Sequence, residues 1–561
     1  MRPPNLLALA CLSACTWISL DEIEDREDPD GDGVRLSADC APHDASVSQT
    51  STVYLDGDGD GFGDASAPVE ACGSVEGASA VAGDCDDGRA DRFPGAPERC
   101  GDGVINDCDG EPESAWEACG LNEVERVSDG ALAALSGGSA EGRAGYAVAD
   151  GGEVTGDGVP DLLVAEPGSA TLAGVVWLVP ATTTGEQALA QVAVALTGAA
   201  GQLAGLGLSE PADLDGDGAD DLLIGGPARS TYDGGGCGVG QAWLVFGPVA
   251  SDLDLADADG VFESVTGTDC AGHGVALTGD LTGDGGPDLL VGAPSLNDGA
   301  HAGTAYVVDG ADALADPDLA ASAIALVGDP GLLGGYRVLG ADLNGDGVED
   351  AVVGAQGGAG TVTIVFGPIT GEVALADERT LSSSQTGSKA GSAVAAPGDL
   401  DGDGAADLLV GARLSALNAT QAGAAFVMLG GFGFNATFET DAAAVLAGAS
   451  ADDRAGTTLG GLGDIDGDGV GDVFVGVPQR DRSGSDSGEV VLVRGPWQGT
   501  VELSEQPSVI AGVQADAWLG RGAASVADLD GDGLRELLLG APGPDSGAEP
   551  GVAWLWPVRS F

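Results

Sequence analysis

The chain has 561 residues, of which 90 are acidic and only 20 are basic, for a formal charge of −70 at pH 7. Such a charge argues against nucleic acid or an anionic lipid surface as a partner. Hydrophobic residues still make up 43 % of the chain, so the composition is that of a folded protein and not of a disordered acidic tail.

The chain begins with "MRPPNLLALACLSAC" at 1–15, where a basic start precedes a short apolar run and small residues. This layout predicts an export signal, because a membrane-spanning helix would need about 20 apolar residues. The stretch "LSAC" at 12–15 resembles the lipobox of bacterial lipoproteins, which implies cleavage before Cys15 and lipidation of that residue. The alternative is simple secretion after an ordinary signal.

Residues 16–27 are predicted to form an acidic tether, and residues 28–119 an Asp- and Cys-rich region without long apolar runs. A region of this size has too small a core to be stable without disulfides or metal ions. We assign 120–130 as a linker. Eight cysteines follow the leader, and their even number on an exported chain predicts disulfides. They are Cys40, Cys72, Cys85, Cys100, Cys108, Cys119, Cys237 and Cys270.

From residue 131 to 561 the sequence repeats, with seven Asp-rich loops of the form D-x-D-x-D-G-x-x-D, each followed by an apolar run. Each unit contains four short, Val- and Leu-rich segments bounded by Gly, Pro and Asp, which is typical of strands. Four strands repeated seven times predict an all-β, seven-bladed β-propeller, with a solenoid as the structural alternative. The last unit lacks its own fourth strand, so we predict that "ALAALSG" at 131–137 pairs into the final blade and closes the ring.

The odd-numbered side chains of each loop should converge on one point, and a set of closely spaced oxygen ligands suits Ca²⁺. The alternative is that the Asp-Gly runs are only β-turns. Seven loops in register, each with several carboxylates that would repel one another, favour the ion. The candidate ligands are, loop by loop, Glu153, Thr155, Asp157 and Asp161; Asp213, Asp215, Asp217 and Asp221; Asp280, Thr282, Asp284 and Asp288; Asp342, Asn344, Asp346 and Asp350; Asp399, Asp401, Asp403 and Asp407; Asp464, Asp466, Asp468 and Asp472; and Asp528, Asp530, Asp532 and Glu536. The second, fifth and sixth loops carry four Asp each and are expected to bind most strongly, and the first loop most weakly.

The unit resembles the FG-GAP repeat of the integrin α-subunit head. The resemblance rests on "VGAP" at 291–294, "LGAP" at 539–542 and a Gly eight residues before each loop, which we place at Gly334 in the fourth unit. It implies a seven-bladed propeller with Ca²⁺ loops. The Phe of the family motif is replaced by Ala or Leu here, so an integrin-like partner does not follow.

Residues 54–110 resemble an Asp- and Cys-rich metal-binding motif of bacterial surface proteins. The resemblance rests on "YLDGDGDGFGD" at 54–64, "GDCDD" at 83–87 and "NDCDG" at 106–110. The candidate ligands Asp56, Asp58, Asp60 and Asp64 repeat the loop spacing. We expect Ca²⁺ here and not copper, because copper would want His, Met or thiolate ligands.

For the disulfides, the ends of the strands near Cys237 and Cys270 would be neighbours in one blade, so we expect a bridge between them. Among the six earlier cysteines we take Cys72 with Cys85, and Cys100 with Cys108, as candidates.

No catalytic constellation is evident. The three histidines, His43, His273 and His301, are scattered, and nearly every acidic pair belongs to a loop. We therefore expect a non-catalytic, Ca²⁺-binding adhesion or binding module, lipid-anchored to the cell envelope or secreted, with a protein or glycan ligand. The alternatives are a propeller lectin or polysaccharide-degrading enzyme, and a purely structural envelope protein.

Overall fold

The computed structural model describes residues 50–558, and its gaps are at 59–60, 66, 72–74, 76, 87, 90–91, 93, 95–107, 109–123, 140, 169, 229–237, 268, 297–301, 316–318, 432–434, 530 and 544–549. The chain divides into two compact units, Met1–Leu121 and Asn122–Phe561. The leader with Cys15 and the acidic tether lie outside the described residues. No helix within the described ranges is long and apolar enough to cross a membrane.

The first unit contains short strands, which are β1 (Ser51–Leu55), β2 (Gly63–Asp64), β3 (Pro68–Ala71), β4 (Ala78–Ser79) and β5 (Ala82–Asp84). β1 pairs antiparallel with β3 and β4, and β2 pairs parallel with β5.

A disulfide joins Cys85, directly after β5, to Cys108, with the two Cα atoms 5.6 Å apart. Our pairings of Cys72 with Cys85 and of Cys100 with Cys108 are therefore wrong, since each uses one cysteine of this bridge. Nearness in sequence suggested them, but the fold brings together two residues 23 positions apart, at a Cα separation that a disulfide readily spans. Cys40, Cys72, Cys100 and Cys119 lie outside the described residues.

The second unit begins with β6 (Val124–Arg126), helix α1 (Val127–Gly130) and β7 (Ala133–Ser136). The first repeat then contains β8 (Val148–Gly152), β9 (Asp161–Glu166), β10 (Val175–Pro180), β11 (Gly185–Ala188), α2 (Leu189–Val192) and β12 (Val194–Thr197). The second contains β13 (Gly207–Leu208), β14 (Leu222–Gly226), β15 (Gln241–Val245), β16 (Leu253–Asp254) and β17 (Gly260–Glu263). The third contains β18 (Gly274–Thr278), β19 (Asp288–Ala293), β20 (Ala302–Asp309), α3 (Gly310–Ala315), α4 (Leu319–Ser322) and β21 (Ile324–Pro330).

The fourth repeat contains β22 (Gly334–Ala341), β23 (Asp350–Ala355), β24 (Thr361–Val365), β25 (Val373–Ala374) and β26 (Arg379–Ser382). The fifth contains β27 (Ala390–Gly398), β28 (Asp407–Ala412), β29 (Ala424–Met428), β30 (Ala436–Thr437), α5 (Phe438–Asp441) and β31 (Ala444–Ala447). The sixth contains β32 (Leu459–Gly463), β33 (Asp472–Val477), β34 (Glu489–Val493), β35 (Gly499–Glu502) and β36 (Val509–Ala511). The seventh contains β37 (Gly522–Ser525), β38 (Leu537–Ala541) and β39 (Val552–Trp556).

In the part of the chain that the structure describes, these repeats form seven sheets, numbered here 1 to 7 by repeat. Each sheet has four antiparallel strands in chain order, and the fourth strand of sheet 7 is β7 from the start of the unit. Ala133 to Ser136 face Leu555 to Val552 in this pairing. The predicted pairing of the first strand into the last repeat is therefore confirmed.

Hydrophobic clusters join each sheet to the next. Leu409 and Val427 of sheet 5, for example, pack against Val473 and Val491 of sheet 6. The same arrangement joins the other consecutive pairs, and the cluster around Leu538 and Leu162 joins sheet 7 back to sheet 1. The apolar core thus lies between sheets, and the fold is the β-propeller that the repeats predict.

A short fifth strand extends most sheets and was not expected. β16, β25, β30 and β35 each pair parallel with the outer strand of the sheet before their own. β11 pairs with β7 in sheet 7, and β6 pairs with β36 in sheet 6. Residues 124–130, which we assigned to a linker, thus belong to the second unit as β6 and α1.

Gly residues allow consecutive sheets to approach closely. A Cβ on Gly411 of β28 would lie 2.2 Å from the carbonyl oxygen of Gly456, at the start of the next repeat. A Cβ on Gly292 would likewise lie 2.1 Å from the carbonyl oxygen of Gly335. Gly335, with φ +83°, therefore takes the place that we assigned to Gly334, one residue earlier in the sequence.

Candidate metal centres

The seven Asp-rich loops each connect the first strand of a sheet to its second strand, so they all lie at the same end of the propeller. The ninth loop residue opens the second strand and is fully buried in every repeat. These residues are Asp161, Asp221, Asp288, Asp350, Asp407, Asp472 and Glu536.

Backbone N–H groups from two directions hold the buried carboxylate in place. Asp407 accepts a hydrogen bond on Oδ2 from the N–H of Leu400, within the loop, and on Oδ1 from the N–H of Gly430, after the third strand, both at 2.6 Å. Asp472 is held in the same way by Ile465 and Gly495. The loop is therefore tied to the sheet through this one side chain.

Burial acts against the charge of these residues. Loss of hydration raises the pKa of Asp161, Asp221, Asp350 and Asp472 to about 6, although the backbone donors lower it. A carboxylate that is buried and fixed, yet costly to ionise, is one whose ionised form a bound divalent cation would stabilise.

The first and third loop residues complete a compact set of oxygens in three loops. Carboxylate oxygens from positions 1, 3 and 9 lie within 4.8 Å of one another in the second, fifth and sixth loops. The sets are Asp213, Asp215 and Asp221; Asp399, Asp401 and Asp407; and Asp464, Asp466 and Asp472. They are the three loops for which the sequence predicts the strongest binding.

Backbone N–H groups of the loop hold the side chain of the first loop residue in place. Asp399 accepts hydrogen bonds from the N–H groups of Gly404, Gly402 and Asp403, at 2.7 to 3.1 Å. These donors, Gly404 foremost, lower the pKa of Asp399 and keep it ionised. The exposed, ionised carboxylate of Asp399 therefore has an oxygen within 4.8 Å of the buried carboxylate of Asp407, whose pKa is raised by burial.

The fifth loop residue is placed differently from our expectation. Asp217, Asp403 and Asp468 are not members of the three oxygen sets. Each instead accepts the N–H of the residue two positions later, at 2.7 to 2.9 Å, and so stabilises the turn.

Three loops have an uncharged residue, Thr155, Thr282 or Asn344, where the second, fifth and sixth loops have a carboxylate at the third position. In the first and fourth loops this side chain donates to the buried carboxylate. The Thr155 hydroxyl donates to Asp161 at 3.3 Å, and the Asn344 amide donates to Asp350 at 3.5 Å. The described carboxylates of these two loops form no set within 4.8 Å. Neutral donors satisfy the buried oxygen directly, so these loops need a cation less.

The third loop recruits a ligand that sequence spacing missed. Asp284 and Asp288 form a compact set with Asp309, the last residue of β20. Asp280 instead accepts three backbone N–H groups of its own loop, from Gly283 to Gly285. The only hint in the sequence is an Asp at the end of the third strand.

The remaining loops are described in part. Asp530 of the seventh loop and Asp60 of the first unit lie outside the described residues. In the seventh loop, Asp528 accepts the N–H of Gly533 at 3.0 Å, and Glu536 accepts that of Leu529 at 2.7 Å. In the first unit, Asp56 accepts the N–H of Gly61 at 3.2 Å, which repeats the contact between the first and sixth positions of the propeller loops.

Cys270 of the second unit is disulfide-bonded, and its expected partner Cys237 lies outside the described residues. His43 and His301 lie outside them as well. His273 is buried beside the innermost strand β18, where its Nδ1 lies 2.9 Å from the carbonyl oxygen of Tyr336.

Three segments of the chain match known protein families. Residues 342–410 match the family described as FG-GAP-like repeat, residues 520–556 match FG-GAP repeat, and residues 84–113 match "Putative metal-binding motif". The chain therefore contains FG-GAP repeats folded as a β-propeller, together with a metal-binding motif in its first unit.

Individual relatives share only part of the chain. Integrin alpha-5 of Xenopus laevis is 30% identical over 230 residues, which are 38% of this chain and 20% of that protein. Phosphatidylinositol-glycan-specific phospholipase D of Bos taurus is 34% identical over 154 residues, or 26% and 18% of the two chains. The chain thus spans about a fifth of the length of these curated relatives. Among solved structures, the WD40 domain of Toxoplasma gondii coronin has a TM-score of 0.42 at 9% identity, covering 77% of this chain and 84% of that one.

Proposed function

We propose that the protein is a non-catalytic binding module whose propeller is stabilised by Ca²⁺ in its loops. The observation that carries the proposal is the set of three oxygen clusters in the second, fifth and sixth loops, each pairing exposed Asp residues with a buried one. Ca²⁺ prefers oxygen ligands, and a short loop rich in carboxylates supplies several of them.

The ion is proposed to be structural. Each cluster lies between the first and second strands of a sheet, and its buried carboxylate also accepts an N–H beyond the third strand. A cation that binds only this folded arrangement adds stability by mass action. FG-GAP repeats and the similarity to integrin alpha chains support a binding role for such a propeller.

Export is proposed on the sequence alone. The leader and Cys15 support a secreted or lipid-anchored protein of the cell envelope, with a protein or glycan as its ligand. The disulfide between Cys85 and Cys108 agrees with an oxidising compartment.

The first experiment is thermal unfolding of residues 15–561 carrying Cys15→Ser, in millimolar Ca²⁺ and in chelator, together with equilibrium counting of bound calcium. We expect a large rise in melting temperature with Ca²⁺ and at least three ions bound to the propeller. Equal melting temperatures with no bound ion would refute the metal sites and leave the loops as acidic turns. Mg²⁺ at the same concentration is the control for non-specific charge screening.

A further inference from the structure

A central cavity of about 650 Å³ runs along the propeller and is lined by the innermost strands of all seven sheets. Small or apolar side chains line most of it. Four charged side chains occur in its lining, Glu210, Arg337, Arg521 and Arg535. Because the loops follow the innermost strands, Glu210 and Arg535 lie at the metal-loop end, whereas Arg337 and Arg521 lie near the end where these strands begin.

The charges at the metal-loop end compensate one another. Arg535 forms an ion pair with Asp150 at 3.1 Å. Glu210, in the same part of the lining, also interacts electrostatically with Asp150 and Arg535. One cation and two acidic groups therefore share this end.

At the opposite end of the channel, the charged side chains of the lining are two arginines. Arg337 donates to the carbonyl oxygens of His273 and Tyr336, both at 3.3 Å, and its guanidinium lies 5.4 Å from the centre of the Tyr336 ring. These partners carry no charge. Within the described residues no carboxylate forms an ion pair with Arg337, and burial together with the charges of Arg521 and Arg413 lowers its pKa.

A second arginine, Arg521, belongs to the same cavity lining. The guanidinium of Arg521 stacks over the ring of Tyr146 at 4.0 Å and donates to the Tyr146 hydroxyl. Lys389, half-buried, also lies within the field of Arg413, which together with burial lowers its pKa. In a chain with 20 basic residues against 90 acidic ones, Arg337 and Arg521 thus place two like charges in the lining of one end of the channel. Such a cluster is costly by itself and is stabilised by an anion.

We propose that this end of the central channel binds a carboxylate group, held by Arg337 and Arg521, from a small organic acid or a uronic acid sugar. Two guanidinium groups fixed against tyrosine rings keep planar N–H edges that match a planar carboxylate. The inference rests on the proposed function, since it gives the ligand class of the binding module.

The test is calorimetric titration of the same exported chain, in millimolar Ca²⁺, with succinate and separately with galacturonate. We expect binding of at least one of them, weakened about tenfold or more by Arg337→Gln and by Arg521→Gln, because each removes a charge-assisted contact. Arg379→Gln is the matched control, since it removes the same charge from an exposed strand position and should leave binding unchanged. Binding of succinate alone assigns free acids as ligands, and binding of galacturonate alone assigns uronic sugars.

Failure of both acids to bind at millimolar concentration, or equal affinity in wild type and both channel variants, would overturn the proposal. The melting temperature of each variant in Ca²⁺ shows whether it is folded, and Arg521→Lys, which keeps the charge but loses the planar edge, provides a milder change. A wild-type protein that is stabilised by Ca²⁺ but binds neither acid would refute the channel site and leave the proposed function standing.

Discussion

At the scale of single residues, Asp407 shows what a loop carboxylate does. It is fully buried, yet it shares a compact set of oxygens with Asp399 and Asp401. We predict that Asp407→Asn removes one bound Ca²⁺ and lowers the calcium-dependent stability by up to about 4 kcal/mol, the value for an ion at about a thousand times its Kd. Unfolding in Ca²⁺ and in chelator measures this difference.

Asp377→Asn is the control for Asp407→Asn, because Asp377 is exposed in a short 3-10 helix and its loss changes the net charge equally. It should leave both the ion count and the calcium effect unchanged. A loss of stability by Asp407→Asn that is as large in chelator as in Ca²⁺ would show that the side chain acts through its backbone hydrogen bonds alone.

The buried carboxylates also predict a pH dependence that reverses with the metal. In the metal-free protein, burial raises the pKa of Asp221 and Asp472 from 3.8 to about 6, so the folded state holds protons more tightly than the unfolded chain. Their contribution to stability is therefore greatest below pH 4 and is lost as the pH rises through 6. In Ca²⁺, protons compete with the ion, and stability should increase over the same range.

Melting temperatures between pH 4 and 7, recorded with and without chelator, test this reversal. Curves of the same slope in both conditions would contradict it, because the ion and the proton would then not share these carboxylates.

Much of the candidate metal centre was predictable from spacing in the three loops that carry four Asp each, since their positions 1, 3 and 9 converge. The role of the fifth residue was not, because its carboxylate is taken by a backbone N–H two residues later, and this depends on the turn. Asp309 could not be predicted either. It comes from the end of the third strand, and only the folded sheet brings it to Asp284 and Asp288.

At the scale of strands, the Gly of "VGA" at 410–412 is explained by the neighbouring sheet. A Cβ on Gly411 would meet the carbonyl oxygen of Gly456 at 2.2 Å, and neither backbone can move freely inside its sheet. We predict that Gly411→Ala destabilises the propeller by about 1–3 kcal/mol, as overpacking does elsewhere. Denaturant unfolding in Ca²⁺ measures the loss.

Gly371→Ala is the matched control, because a Cβ there meets nothing within 4 Å. It should leave stability nearly unchanged. Equal stability of wild type and Gly411→Ala would mean that the two sheets can separate at this point without cost, contrary to the packing seen here.

The existence of the main strands was largely predictable from the sequence. The exact residue that occupies a given place in a repeat was not. In "GLLGGYRVL" at 331–339 either of two adjacent Gly could fill the conserved place in the repeat, and only the positive φ of Gly335 and its contact with Gly292 decide between them. The short fifth strands escaped prediction for a related reason. β16, β25 and β30 are only two residues long and are stabilised by the outer strand that they join.

At the scale of the whole molecule, the beginning of the propeller completes two sheets. β7 supplies the fourth strand of sheet 7, and β6 joins sheet 6. We predict that deleting residues 120–140 lowers the melting temperature far more than the loss of a loop of equal length, because two sheets are left with open edges and the cluster around Leu135 is exposed. Thermal unfolding in Ca²⁺ is the measurement.

Deletion of residues 481–486, a partly exposed loop between β33 and β34, would serve as the comparison, with each fall in melting temperature divided by the number of residues removed. A melting temperature that is equally affected by both deletions would show that ring closure contributes little. The pairing of β7 into the last repeat was foreseeable because the last unit lacks a fourth strand of its own. The part played by 124–130 was not foreseeable, since β6 is only three residues long and is stabilised by β36, the strand that it joins.

The position of β6 and β7 has a mechanical consequence. Tension applied to the chain ahead of residue 124 passes directly into β6 and β7, which pair into sheets 6 and 7. The strands pair with β36 in parallel and with β39 antiparallel, so force along the chain acts on their rows of hydrogen bonds together with the packing of Leu135. If the N-terminus is tethered to a surface, a load on a captured ligand is resisted at the ring closure before any single repeat is stretched.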